Sequence, residues 1–170
     1  MTFFSPNRPS TVIRTIQDDS QVADIFKNNQ PNSNTFLAPT FQKIVEQWFG
    51  TRMTNEGGFI IIYTDGEIDD RDTFVNYVEQ TFRKLNSQDE LKIVIFGFGS
   101  DINNDPRFYL ELDANTGDFR DKNGKLCDII VFDLLDKMDD GNSIIDLLNR
   151  ELDDPQASSP EWGKDFCPEL

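Results

Sequence analysis

The chain has 170 residues, enough for one domain with a sizeable core and cramped for two. It carries 31 acidic against 16 basic side chains, a formal charge of -15, which argues against nucleic acid or an anionic membrane as partner and favours cations or basic proteins. It has no histidine, which excludes Ser-His-Asp and Cys-His sites and zinc held by imidazole, and its two cysteines, Cys127 and Cys167, form neither a disulfide framework nor a CxxC pair. The opening residues MTFFSPNRPS lack the long apolar run of a signal peptide, and no segment approaches membrane-spanning length. These features predict a soluble, cytoplasmic protein.

Taken in order, the first element is a short edge strand over Val12–Ile16, followed by a polar loop at Asn28–Asn34. Phe41, Ile44, Val45, Trp48 and Phe49 then fall at i, i+3, i+4, i+7 and i+8, one apolar face of a helix. Phe59–Tyr63 is apolar without alternation, which predicts a strand covered on both faces in a parallel sheet. Phe74, Tyr77, Val78, Phe82 and Leu85 mark a second amphipathic helix, and Ile93–Phe96 a second continuous strand. A short helical pattern at Phe108–Leu112, a strand at Ile129–Phe132 and a helix over about Ser143–Leu152 complete the series. The alternation predicts an α/β fold with a doubly wound, mainly parallel, Rossmann-like sheet over residues 1–152. The aperiodic stretch 153–170, with its prolines and serines, reads as a C-terminal tail or docking segment.

Chemistry concentrates where the first long strand ends. Thr64 and Asp65 fall at its carboxyl end, where open α/β sheets meet ligands, and Gly66 permits a sharp turn among Glu67, Asp69, Asp70 and Asp72. Such a loop offers oxygens to a hard cation, Mg²⁺, Mn²⁺ or Ca²⁺. The alternative is that Asp69, Asp70 and Asp72 serve a helix N-terminus and that Thr64-Asp65-Gly66 is an ordinary turn. Thr35, before the Phe41 helix, is open to the same two readings, cap or cation ligand. Gly97-Phe98-Gly99 lacks the third glycine and lysine of a phosphate loop, so its glycines serve a tight turn. Asp113–Gly124 has a displaced glycine and no closing glutamate, so it is a surface hairpin or turn, not a calcium loop.

Thr35 before a helix, the strand ending Thr64-Asp65-Gly66-Glu67, the strand ending Gly97-Phe98-Gly99, and Cys127–Asp133 as a last strand together resemble the von Willebrand factor A family. The intracellular copine and tellurium-resistance branches are the nearest in pattern. The resemblance implies a divalent-cation site, usually Mg²⁺, in which Thr35 matches the family's threonine motif and Asp65 its later aspartate; Glu67 adjoins them. It also implies a protein partner that completes the ion's coordination. The family's DxSxS motif is missing: Asp18-Asp19-Ser20-Gln21-Val22 places Val22 at the second serine and leaves no room for the elements that normally precede Thr35. The chain thus resembles a member truncated on its N-terminal side, without its first strand and with half a metal site.

The expected function is a non-enzymatic interaction module with a partial or degenerate metal site. The alternatives are a metal-dependent phosphoryl-transfer hydrolase built on Asp65, Glu67 and Asp69, and an acidic structural subunit that docks a basic partner.

Overall fold

The computed structural model describes residues 18, 20, 21, 24, 27, 35–53, 56–66, 68–115, 117–138 and 160–168. The expected strand at 12–16, the expected helix at 143–152 and Glu67 lie outside the described residues. Two compact units emerge, one from residues 1–51 with 68–78, the other from 52–67 with 79–170.

In the first unit, helix α1 spans Ala38–Thr51 and buries Ala38, Thr40, Phe41 and Val45. Of the apolar face expected from the spacing, Phe41 and Val45 are buried and Ile44, Trp48 and Phe49 are half-buried; Pro39 stands in the first turn, where a missing N–H costs nothing. Helix α2, Arg71–Phe82, supplies its residues through Val78 to this unit. Phe74 meets Phe41 edge to face, with ring centroids 5.1 Å apart, and Leu37, Ile68 and Val78 are also buried.

The second unit is built on a parallel sheet of β1 (Gly58–Thr64), β2 (Leu91–Gly97) and β3 (Ile130–Leu134), hydrogen-bonded in that order. The register places Ile60 beside Ile93 and Ile62 beside Ile95, and Ile93 and Ile95 beside Ile130 and Phe132. These side chains form one buried face. Two short helices follow β2, α3 at Ser100–Asn104 and α4 at Arg107–Asp113, and α4 packs on β3 through Tyr109, whose ring stacks on Phe132 at 5.0 Å. Phe82, in the last turn of α2, meets Phe119 at 5.0 Å. Among the described residues no helix is long and apolar enough to cross a membrane.

The opposite face differs from strand to strand. Val94, Phe96 and Val131 are buried, with Leu135 and Met138 packed against them. Phe59, Ile61 and Tyr63, on the same side of β1, the outermost of the described strands, are 49, 44 and 46% exposed. The expectation that the Phe59–Tyr63 strand is covered on both faces is therefore corrected: β1 alternates between buried and exposed positions, and its continuous apolar run reflects one core face and one apolar outer face.

Part of the segment expected as a tail is structured. Residues Glu161–Asp165 form a 3₁₀ turn, and Trp162 meets Phe132 at 5.9 Å while its Nε1 donates to Asp133 Oδ1 at 3.1 Å. Gly163 lies so close to Leu110 that a Cβ there would fall 2.9 Å from Leu110 Cδ2.

The expected Asp113–Gly124 turn begins at the end of α4, and its later part lies in a tight hairpin closed by an antiparallel bridge between Arg120 and Leu126. The buried Asp121 carboxylate accepts from the Asn123 and Lys125 amides at 2.8 and 3.0 Å, so it fixes the turn internally.

At the amino end of β3, burial raises the Asp128 carboxyl to about 6, a rise that the nearby Lys92 ammonium opposes. Lys92 is itself buried in β2 and donates from Nζ to the Asp128 carbonyl at 3.0 Å. A carboxyl raised on folding binds its proton more tightly in the folded chain. Its contribution to stability is then fully present below the unfolded value near 3.8 and lost as pH rises through about 6. Asp128→Asn should stabilise the protein at pH 8 by about 1–2 kcal/mol, a figure reduced for partial exposure, and make almost no difference below pH 4. Urea midpoints of the two proteins at both pH values test this; a difference that is the same at both would refute it.

Candidate functional site

The loops at the carboxyl ends of β1 and β2 lie side by side. Thr64 is buried, its carbonyl accepts from the Phe98 amide at 3.0 Å, and Asp65 is exposed just beyond it. A Cβ on Gly66 would lie 3.7 Å from Asp101 Cβ, and one on Gly99 would lie 3.8 Å from the Asp65 carbonyl oxygen. The Gly66 carbonyl accepts from the Tyr109 hydroxyl at 2.8 Å, which ties the β1 loop to α4. Asp65 is thus placed at the sheet's carboxyl edge, as its position after a parallel strand predicts, with exposed Asp101 from the first turn of α3 nearby.

The glycines of Gly97-Phe98-Gly99 have structural duties. Gly99 adopts φ 87, a conformation that suits glycine and makes the turn into α3. Gly97 is pinned between neighbours: a Cβ there would fall 2.7 Å from Ile102 Cδ1 and 2.8 Å from Leu134 Cδ2. Because both obstacles are side-chain ends that can shift, Gly97→Ala should cost about 1–2 kcal/mol. Thermal denaturation of the variant checks this, and an unchanged midpoint would mean that α3 stands farther from β2.

The acidic residues after Gly66 divide between roles. Asp69 and Thr35 pair reciprocally: the Thr35 amide donates to Asp69 Oδ2 at 2.6 Å, and the Asp69 amide to the Thr35 carbonyl at 2.9 Å. The Asp70 carboxylate spans the start of α1, with Oδ1 accepting from the Leu37 amide and Oδ2 from the Ala38 amide, each at 3.0 Å. An anion there satisfies N–H groups that have no partner within the helix and meets the positive end of its dipole. Of the two readings left open for Asp69 and Asp70, capping is the one this geometry supports, although the helix capped is α1 and not the one that follows them in sequence.

Thr35 therefore belongs to the unit formed with residues 68–78, and Asp65 to the sheet unit. Among the described residues no three His, Cys, Asp or Glu side chains are grouped so as to hold a metal ion. At Asp18, Oδ1 accepts from the amide of Ser20 at 2.9 Å and from its hydroxyl, which closes a local turn.

The two cysteines, Cys127 and Cys167, lie in the sheet unit. Both are buried, and burial, helped by Asp121 and Asp128, pushes the Cys127 thiol up to about 12. A thiol so raised holds almost no thiolate at neutral pH.

The exposed outer face of β1 is the feature that sequence reasoning missed. Phe59, Ile61 and Tyr63 are the odd members of a run in which every residue is apolar, so no alternation revealed which side faced solvent. In comparisons with family models, with curated proteins and with solved structures, the chain matches none.

Proposed function

We propose that this chain is a non-enzymatic protein-interaction module with a von Willebrand A-like fold, and that its recognition surface is the outer face of β1. The observation that carries the proposal is the contrast across one sheet face: Val94 and Phe96 are fully buried, while their register partners Ile61 and Tyr63 are nearly half exposed. Parallel sheets are ordinarily covered on both faces, so an uncovered apolar strip on one strand is where a partner gains most by burial. The sequential parallel order of the strands agrees with the later half of the family's sheet, and β1 has no neighbour on its other edge among the described strands. In the family that the chain resembles, this is the side on which the first strand pairs.

The metal site that the resemblance implies, drawing on Thr35, Asp65 and Glu67, enters this proposal as a weak or degenerate one. With Asp69 and Asp70 engaged by main-chain amides, Asp65 and Thr35 leave most of an ion's coordination to water. Calorimetric titration of Mg²⁺, Mn²⁺ and Ca²⁺ into wild type and Asp65→Ala should give little heat with either protein. Tight binding that disappears in the variant would restore a working site.

The interaction itself is tested by quantitative affinity capture with wild type and Ile61→Asp, each with and without chelator. Partners lost with Ile61→Asp and kept with chelator support recognition through the strand. Partners lost only with chelator would assign recognition to a cation and overturn this reading.

A further inference from the structure

Resting on the reading of the outer face of β1 as the recognition surface, we infer that its occupant is an amphipathic helix with an apolar stripe and basic residues toward both ends. Three observations lead there.

The first is shape. The exposed side chains are on a face of the sheet, and a strand added to the edge of β1 would leave them exposed. A helix is about 10 Å wide, roughly two strand spacings of ~4.8 Å, and lies along a parallel sheet. Among the described residues, Leu135 and Met138 pack on Val94, Phe96 and Val131, while Phe59, Ile61 and Tyr63 on the same side of the sheet are 49, 44 and 46% exposed.

The second is length. Phe59 and Tyr63 stand about 13 Å apart along the strand at ~3.3 Å per residue, close to the ~10.5 Å between residues i and i+7 of a helix. Apolar side chains at i, i+4 and i+7 therefore match Phe59, Ile61 and Tyr63.

The third is charge. The strand Gly58–Thr64 carries no ionisable group except the Tyr63 phenol, and acidic groups stand beyond both of its ends. At the amino end are exposed Glu56 and Asp89; Asp89 belongs to the loop whose carbonyl lies 3.3 Å from where a Gly57 Cβ would be. At the carboxyl end is exposed Asp65, with Asp101 beside it across Gly66. Lys92, on the same sheet face, is buried and bonded to the Asp128 carbonyl, so it offers little to an approaching charge. A helix of about 20 residues covers the roughly 25–30 Å between the acidic ends and brings its own termini to them. A second copy of this chain would instead set acid against acid at both ends, with -15 on each molecule.

The test is selection of a display library of 20-residue amphipathic helices, with charge randomised toward both ends, against the full chain and in parallel against Ile61→Asp. Ile61 is an exposed position, so the variant should fold; Tyr63→Ser serves as a second, milder variant. Winners should be enriched in Lys and Arg at both ends, lose at least tenfold in affinity with Ile61→Asp, and weaken about tenfold between 0.05 and 0.5 M salt. The salt effect should shrink in Asp65→Asn/Asp101→Asn. Winners that are neutral or acidic yet still lost with Ile61→Asp would overturn the basic helix and leave the interaction face standing. Winners indifferent to Ile61→Asp would overturn the inference. Concentration-dependent dimers in sedimentation that Ile61→Asp abolishes would assign the face to a second copy and overturn it as well.

Discussion

Phe132→Ala should remove about 3–5 kcal/mol of stability, a large part of what a domain of this size possesses. Phe132 is fully buried in β3, beside Ile95 in the register, stacked on Tyr109 at 5.0 Å and met edge-on by Trp162 at 5.9 Å. Its ring joins the sheet, α4 and the C-terminal 3₁₀ turn, so truncation leaves a cavity bounded by three elements that cannot all close on it. Denaturation in a Trp48→Phe background, where Trp162 alone reports, measures the loss, and Trp162 emission should shift red before the sheet unfolds. Phe132→Leu, which keeps most of the volume, should cost distinctly less. A loss below about 1 kcal/mol for Phe132→Ala would mean that Tyr109 and Trp162 pack elsewhere.

Asp70→Ala should cost about 2–3 kcal/mol, with the damage centred on the start of α1. Two charge-assisted hydrogen bonds from the Leu37 and Ala38 amides disappear together, and the exposed end of the helix dipole loses its counter-charge. Asp70→Asn keeps one acceptor oxygen and should recover less than half of the loss. Hydrogen exchange separates this from a general destabilisation: the amides of α1 should exchange faster while those of β2 keep their rates. Uniform acceleration through both units, or none at all, would contradict the assigned cap.

Much of the sheet unit is legible in the sequence. Leu91–Gly97 and Ile130–Leu134 are short, apolar and bounded by turn residues, and burial on both faces leaves continuous hydrophobic strands with that signature. The placement of Asp65 follows from the end of such a strand, and the hairpin after α4 follows from its glycines and aspartates. Other features resist local reading for physical reasons. In Phe59–Tyr63 both faces are apolar, so periodicity carries no information about which one meets solvent. Asp70 lies 33 residues from Leu37 and 32 from Ala38, the amides that it binds, and no rule based on neighbours in sequence connects them. The turn at Glu161–Asp165 has no periodicity at all; its place on the sheet unit depends on one indole, Trp162, finding a carboxylate and an aromatic ring.

The composition of β1 also bears on how the molecule keeps to itself. Edge strands are normally guarded by a lysine, a proline or a bulge; β1 is the outermost of the described strands on its side, and Gly58–Thr64 contains neither lysine nor proline. A formal charge of -15 repels copies of the chain from one another at neutral pH and falls to zero near the isoelectric point of about 4.2. Repulsion between copies and the exposure of an apolar strand are therefore coupled, and self-association through β1 is expected to be strongest near pH 4, which light scattering across about pH 4–8 with wild type and Ile61→Asp checks.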